Sequence, residues 1–157
     1  MTSSVLPSPV AGLAPDLAER LRARLEAAPA LSLLRPILEE LGPDLCVLRL
    51  PYRVELTNGS GTVHGGILAT LADTAVAFAL STNFDGKMGF ATADLTIHFL
   101  RRARGDVWAR ARILKKGRRV NVGEVDIVDE GGKSVARAMT SYLLTTSTFD
   151  YAPEGKH

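Results

Sequence analysis

Hydrophobic and polar residues alternate with a period of two through most of the second half of the chain, and this pattern predicts β-strands. In FATADLTIHFL (residues 90–100), one face carries Ala91, Ala93, Leu95, Ile97 and Phe99, and the other carries Thr92, Asp94, Thr96 and His98. Further strands are predicted at 107–115, 119–129 and 133–144. Because no helical pattern separates them, neighbouring strands are expected to pair antiparallel as a meander, with a β-bulge at Gly123.

The first half of the chain shows helical spacing instead. Asp16 and Glu19 resemble a capping box that begins a helix, and Pro29 ends it. The apolar face of this helix is formed by Leu17, Leu21, Leu25 and Ala28. A second helix is predicted from Leu33 to Leu41, with Gly42 as its stop.

These patterns divide the chain into four segments. Residues 1–13 are rich in Pro, Ser and Gly and are expected to form a flexible tail, as are residues 149–157. Residues 14–42 are expected to form N-terminal helices, and residues 43–148 the main domain. One long helix packed on one antiparallel sheet predicts an α+β fold of two layers.

The long helix, predicted from Gly66 to Thr82, carries a single ionisable side chain, Asp73. Apolar residues cover most of its circumference, so it is expected to be buried on most sides. Its polar residues form one narrow stripe of Thr70, Asp73, Thr74 and Ser81. Burying an unpaired carboxylate is costly, so Asp73 is either structural, paired with an arginine or bonded to threonine hydroxyls, or functional, facing a cleft or a subunit interface. Taken alone, Asp73 favours the structural interpretation.

The tripeptide His64-Gly65-Gly66 directly precedes this helix and changes that balance. The first amides of a helix lack internal partners, and glycine lets a ligand approach them closely. Together with the helix dipole they can bind an anion or a developing oxyanion. The alternative is that both glycines serve only a tight turn and that His64 is an ordinary loop residue.

Composition and charge exclude several classes of function. The 157 residues fit one domain, 46% of them are hydrophobic and 23% charged, and the net charge is +2. The single cysteine, Cys46, excludes an internal disulfide framework, and no signal peptide or apolar run of about 20 residues is found. We therefore expect a cytoplasmic protein that contacts no membrane. Aromatic residues are too few, at 6%, for a nucleic-acid platform. No metal is expected, because the histidines lack ligand spacing with Cys46.

Asn58, HGG at 64–66 and Asp73 together resemble the signature of hot-dog-fold acyl-CoA thioesterases, most closely the phenylacetyl-CoA (PaaI-like) branch. The similarity extends from about residue 48 to 144 and includes LRLPYRVELTN, TADLTIHFLRRA and KKGRRV. LRRA replaces the usual Arg-Pro pair, and the helix of residues 16–28 lies outside the similar region.

The resemblance implies a long central helix wrapped by a curled antiparallel sheet, no cofactor, and a homodimer or homotetramer with active sites between subunits. It implies that the Gly65 amide polarises the thioester carbonyl and that Asp73 of the neighbouring subunit attacks that carbonyl or activates water. Asn58 would hold the substrate carbonyl or the carboxylate, His64 would shape the pocket, and Thr92 would hold the water. Gly66 belongs to the same substrate-binding turn.

Two basic segments, RRAR (101–104) and KKGRR (115–119), are either solvated turns or a clamp for the phosphates of coenzyme A. Arg102 and Lys116 are the candidates for that clamp.

The resulting hypothesis is an acyl-CoA thioesterase that releases a free acid and CoA. A non-catalytic acyl-CoA-binding protein with a structural Asp73 is the alternative. A hydratase on the same scaffold is a third, less well matched possibility. The acyl group itself stays open.

Overall fold

The computed structural model describes residues 13–148, with side chains up to residue 145. Helix α1 spans Leu17–Ala27 and helix α2 spans Gly65–Ser81, and short 3-10 turns lie at Pro29–Leu31 and Val54–Leu56. In chain order, the strands are β1 Ile37–Gly42, β2 Leu45–Leu50, β3 Met88–Phe99, β4 Val107–Lys115, β5 Val120–Asp129 and β6 Ser134–Thr148. The predicted flexible tails fall almost entirely outside the described residues.

All six strands form one antiparallel sheet in the order β1-β2-β4-β5-β6-β3. The sheet curls around α2, which packs against β2, β4 and β5 and buries both layers' apolar side chains. The α+β hot-dog architecture is therefore confirmed. The meander prediction holds for β4, β5 and β6, but it is wrong for β3, which pairs with β6 and lies at the sheet edge. Alternation identifies a strand without naming its partner, so this crossover left no local signal.

The predicted helix from Leu33 to Leu41 is wrong, because most of this segment forms strand β1. β1 and β2 make a hairpin whose turn contains Asp44, with φ +61°. The register shifts between Leu38 and Glu40, so that β1 bulges at Glu39. A bulge adds one residue to the period of two. It therefore placed the buried Leu38 and Leu41 three residues apart, which is the spacing of a helix face.

Helix α1 agrees with its prediction and buries the leucines at 17, 21 and 25. The capping box does not form: Asp16 stands at the N-cap, but its carboxylate accepts from the Arg20 guanidinium and caps no amide. Arg20 also donates to the backbone carbonyl and side chain of Asp85, and Arg24 donates to the carbonyl of Gly86. These bonds fasten α1 to the turn that connects α2 with β3.

Gly123 explains how closely the helix approaches the sheet. A Cβ at this position would lie 2.3 Å from Cγ1 of Val76 on α2, well inside van der Waals contact. The bulge predicted at Gly123 is not there. The extra residue is Leu114 of the facing strand β4, which lies between Ile113, the partner of Gly123, and Lys115, the partner of Val122. Glycine is required at 123 because α2 lies directly over it.

Candidate active site

One stripe of α2 stays accessible, and it contains Asp73. Gly66 is exposed, while Thr70, Asp73, Thr74 and Ala77 are half-buried. The hydroxyls of Thr70 and Thr74 donate to backbone carbonyls of their own helix one turn earlier, so neither bonds to the Asp73 carboxylate. Ser81, predicted to belong to this stripe, is instead buried and donates to the carbonyl of Ala77. The open stripe is therefore shorter than the sequence indicated.

The Asp73 carboxylate is held by two neutral hydroxyl groups from the sheet. The phenol oxygen of Tyr142 lies 2.6 Å from Oδ1 of Asp73 and 2.6 Å from its carbonyl oxygen. Thr92 Oγ1 lies 3.0 Å from Oδ1 and 3.2 Å from Oδ2. Within residues 13–148 no lysine, arginine or histidine approaches this carboxylate to within 4 Å. The structural alternative named an arginine or threonine hydroxyls as partners of Asp73. No arginine is found there, whereas a threonine hydroxyl, that of Thr92, does bond to the carboxylate.

A β-bulge turns Thr92 toward the helix. The pairing of β3 with β6 shifts between Thr92 and Asp94, so Ala93 is the extra residue. Before the bulge, Thr92 bonds to Asp73 on the helix side; after it, Leu95 and Ile97 pack on the same core. The predicted division of this strand into two strictly alternating faces is therefore wrong across Ala93, although the role of Thr92 beside Asp73 stays available.

The N-terminus of α2 presents one free amide. The Gly66 amide donates to Nδ1 of His64 at 2.9 Å, so the His64 side chain caps the helix and carries its own proton on Nε2. The Gly65 amide, by contrast, finds no acceptor among residues 13–148. It stands at the first position of the helix, where the helix dipole favours negative charge. Of the two glycines, Gly65 is the one able to donate to a ligand.

Asn58 lies beside this amide with its own amide group free. Its Oδ1 accepts from the Ser60 and Thr62 backbone amides, which fixes the orientation of the side chain. Nδ2 is thus the group left to bind a ligand, and it has no acceptor within residues 13–148. A cavity of about 350 Å³ is lined by Asn58, Thr62, Val63, Gly65, Leu68, Phe99, Leu100, Arg101 and Arg102. Its polar end offers hydrogen-bond donors and its walls are apolar.

The Phe99 ring covers Gly65 from the sheet side. A Cβ on Gly65 would lie 3.2 Å from Cζ of Phe99, so a larger residue would push the ring or displace the amide. The side chain of Phe99 is itself 53% exposed and lies at the cavity wall. Glycine at position 65 therefore keeps the amide accessible beneath an aromatic side chain.

The donors and the carboxylate do not meet within one protomer. Gly65 and Asp73 lie eight residues apart on one straight helix, which separates them by roughly 12 Å along its axis. A thioester carbonyl that receives a hydrogen bond from the Gly65 amide is therefore out of reach of the Asp73 carboxylate of the same chain. The two groups therefore stay apart within one chain. We call them the Gly65 half-site, at the start of α2, and the Asp73 half-site, in its middle.

The structure separates the two predicted phosphate contacts. Arg102 lines the cavity beside Asn58 and Gly65. Lys116 lies at the opposite end of α2, where its Nζ bonds to Asp44 at 2.9 Å and to the Asn83 side chain at 3.0 Å. Within a protomer, only Arg102 is near the Gly65 half-site.

Tyr142 was missed in the sequence. Its aromatic side chain is almost fully buried, at 1% exposure, and its ring meets Phe90 edge to face with centroids 5.4 Å apart. A buried tyrosine needs a partner for its hydroxyl, which is a usable signal. The partner, however, lies 69 residues earlier in the chain, and nothing local indicates it.

Residues 13–148 contain no cluster of three or more potential metal ligands. No helix in this part of the chain is long and apolar enough to cross a membrane.

Comparison with known proteins agrees with this architecture. The family model described as the thioesterase superfamily matches residues 60–136. A Halobacterium salinarum protein named Putative esterase VNG_1336C is 38% identical over 120 residues, covering 73% of this chain and 80% of that protein. Acyl-coenzyme A thioesterase PaaI of Escherichia coli is 37% identical over 92 residues, covering 57% of this chain and 64% of that one.

Among solved structures, thioesterase HI1161 from Haemophilus influenzae matches with a TM-score of 0.74 and 26% identity, covering 81% of this chain and 89% of that chain. The family match includes both Gly65 and Asp73, and the structural match covers most of the fold described above. The chain belongs to the thioesterase superfamily and is a PaaI-like thioester hydrolase.

Proposed function

We propose that the protein is an acyl-CoA thioesterase whose active site is completed by two copies of the chain. The observation that carries this proposal is the division of α2 into two half-sites. Gly65 and Asn58 supply unpaired amide donors at one end, and Asp73 supplies a carboxylate without a neighbouring cation about 12 Å along the helix. Hydrolysis of a thioester needs both kinds of group at the same carbonyl: the donors at its oxygen, and the carboxylate beside its carbon.

A two-fold arrangement of antiparallel helices brings the half-sites together. In such a pair, Gly65 of one copy faces Asp73 of the other when the axis passes near Ala69, midway between them. The accessible stripe around Ala69 consists of small residues, which allow two helices to approach closely. β3 adds a twelve-residue edge strand that a second copy can pair with. We therefore propose a homodimer, alone or as half of a homotetramer.

In the proposed reaction, the Gly65 amide and the Asn58 Nδ2 donate to the thioester carbonyl oxygen and stabilise the negative charge that develops there. Asp73 of the second copy either removes a proton from an attacking water or attacks the carbonyl carbon itself. In the first route, the carbon–sulfur bond breaks, Asp73 returns the proton to the departing sulfur, and the water oxygen stays in the free acid. In the second route, CoA leaves as the thiolate from an acyl–Asp73 anhydride, and water then hydrolyses that anhydride to the free acid. Thr92, bonded to Asp73, is placed to position that water.

The proposed contact for the phosphates of coenzyme A is Arg102. It lines the same cavity as Asn58 and Gly65, and its guanidinium can bind phosphate with two parallel hydrogen bonds. Lys116, engaged with Asp44 and Asn83, lies too far from the Gly65 half-site of its own protomer to take part there.

Mixed dimers of two inactive variants test the shared site. Asn58→Asp keeps the Oδ1 bonds of its loop but replaces the amide donor with a carboxylate, and Asp73→Asn removes the base. Each variant alone should be inactive in a thiol-release assay with a panel of acyl-CoAs. Co-expressed in equal amounts, about half of the dimers are mixed, and each mixed dimer holds one intact site, so about a quarter of parental activity should return.

No recovery in the mixed sample would show that both residues act within one protomer. A parental protein that binds acyl-CoA but releases no thiol from any member of the panel would instead be a non-catalytic acyl-CoA-binding protein.

A further inference from the structure

The strand residue Tyr142 is in direct contact with the group on which the proposed chemistry depends, and nothing in the sequence signature includes it. Its phenol oxygen lies 2.6 Å from Oδ1 of Asp73, the shortest contact that this carboxylate makes in the described residues. The ring is fully packed in the core and braced edge to face by Phe90. The hydroxyl therefore has one fixed position from which to donate.

The contact between Tyr142 and Asp73 follows from the way β6 pairs with β3. Tyr142 of β6 and Thr92 of β3 are direct cross-strand partners, and the bulge at Ala93 follows immediately. Both hydroxyls consequently point at the same carboxylate from neighbouring strands. Bulges are frequent beside active sites because they redirect a side chain. Here the bulge lets β3 present Thr92 to Asp73 while Leu95 and Ile97 still face the core.

The hydroxyls of Tyr142 and Thr92 make closer contacts with one carboxylate oxygen of Asp73 than with the other. Oδ1 has the Tyr142 contact at 2.6 Å and the shorter of the two Thr92 contacts, while Oδ2 has only the longer Thr92 contact at 3.2 Å. The single phenol proton is shared between Oδ1 and the Asp73 carbonyl oxygen, which also lies 2.6 Å away, and the charged carboxylate is the stronger acceptor. Oδ1 is thus held in place, and Oδ2 is the oxygen with lone pairs left for a proton or a carbonyl carbon.

We propose that Tyr142 is a positioning residue that anchors Oδ1 of Asp73 by donating a hydrogen bond, so that Oδ2 is presented to the reaction. The proposal rests on the proposed function of Asp73 and extends it. Burial, and next the bond to Asp73, raise the pKa of the Tyr142 phenol above its usual value. The phenol therefore stays protonated and remains a donor at neutral pH. Within residues 13–148, Tyr142 is the titratable group that contacts Asp73.

Tyr142→Phe tests the proposal because it removes the hydroxyl and keeps the ring against Phe90. The value of kcat should fall about tenfold because Oδ2 is no longer held in one orientation, while KM stays within about twofold. A role in stability alone would not lower kcat and leave KM unchanged.

Ser134→Ala is the matched control. Ser134 lies on the same strand, and its hydroxyl also donates to a carboxylate, that of Asp126, which neither lines the Gly65 cavity nor contacts Asp73. This variant should lose a similar hydroxyl–carboxylate bond and a similar amount of thermal stability without a change in kcat. An unchanged kcat in Tyr142→Phe would overturn the proposal.

A measurement without substrate separates this inference from the proposed activity. Carboxyl ¹³C resonances can be recorded at one neutral pH in the parental protein, and the Asp73 signal is identified by its absence in Asp73→Asn. Its chemical shift should change in Tyr142→Phe, which loses the hydrogen bond, and stay in place in Ser134→Ala. This result is expected whichever thioester the protein hydrolyses, and an unchanged chemical shift would refute the anchoring role even if acyl-CoA hydrolysis is confirmed.

Discussion

Asp73→Asn distinguishes a carboxylate kept for chemistry from one kept for stability. Asparagine retains an oxygen that can accept from Tyr142 and Thr92, so the shape of the site is preserved. The substitution removes the charge and the proton-accepting oxygen. We expect kcat to fall by at least about 10²-fold, the scale for removal of a general acid–base group. Acyl-CoA binding should persist, because the Gly65 amide, Asn58 and Arg102 are unchanged.

The effect on stability follows from two opposing contributions. A hydrogen bond to a charged acceptor stabilises by about 1 kcal/mol more than a neutral one, so two such bonds lose about 2 kcal/mol in total. Against this, the half-buried Asp73 has no cation within 4 Å among residues 13–148, and neutralising it removes a desolvation cost of comparable or larger size. We therefore expect the melting temperature to stay the same or to rise.

Asp126→Asn is the opposite case in the same protein. Asp126 also accepts from a hydroxyl, that of Ser134, but it is paired with Arg137 at 3.1 Å. This variant should melt at a lower temperature and keep its activity. Both variants are measured by thermal unfolding and by thiol release with acyl-CoA. If Asp73→Asn melts about 4–8 °C lower, the change that a 2 kcal/mol loss gives in a domain of this size, and still hydrolyses acyl-CoA at nearly the parental rate, then Asp73 is structural.

Three further substitutions probe the fold and the cavity. Gly123→Ala places a Cβ 2.3 Å from Val76 and should lower the free energy of unfolding by about 1–3 kcal/mol in denaturant unfolding. Gly105→Ala adds a Cβ with nothing within 4 Å and should not lower it. Equal stabilities of the two variants would contradict the close approach of α2 to β5. Leu21→Ala in α1 removes a fully buried side chain and should cost about 2–5 kcal/mol, whereas Glu26→Ala, at an exposed position of the same helix, should be nearly neutral. Arg102→Ala should raise KM for acyl-CoA with kcat nearly unchanged, and Arg104→Ala in the same segment should leave both constants as they are; an unchanged KM in Arg102→Ala removes the phosphate contact.

The sequence predicted those elements whose periodicity is uninterrupted. Helix α2 and strands β4, β5 and β6 lie within a few residues of their expected bounds, because their burial follows one period over many residues. Two of the errors coincide with bulges. At Glu39 an extra residue made a strand resemble a helix, and at Ala93 an extra residue exchanged the two faces of β3. Neither residue type signals a bulge, since bulges are set by the pairing with a neighbouring strand.

For the site, the sequence indicated the residues but not their partners. Asn58, Gly65 and Asp73 belong to a compact signature, so they could be recognised from one stretch of chain. His64 was assigned to the pocket wall, and its ring caps the helix by accepting from the Gly66 amide. The contact between Tyr142 and Asp73 could not be predicted, because it depends on the order of strands in the sheet.

The eight-residue separation of Gly65 and Asp73 on α2 has a consequence for enzyme assays at low concentration. If the catalytic unit is a pair of chains, dilution below the dissociation constant of the pair removes active sites by mass action, and the rate then falls with the square of the protein concentration. Specific activity would decline on dilution and recover on concentration, with every chain still folded. A substrate that bridges both half-sites would hold the pair together and oppose that decline.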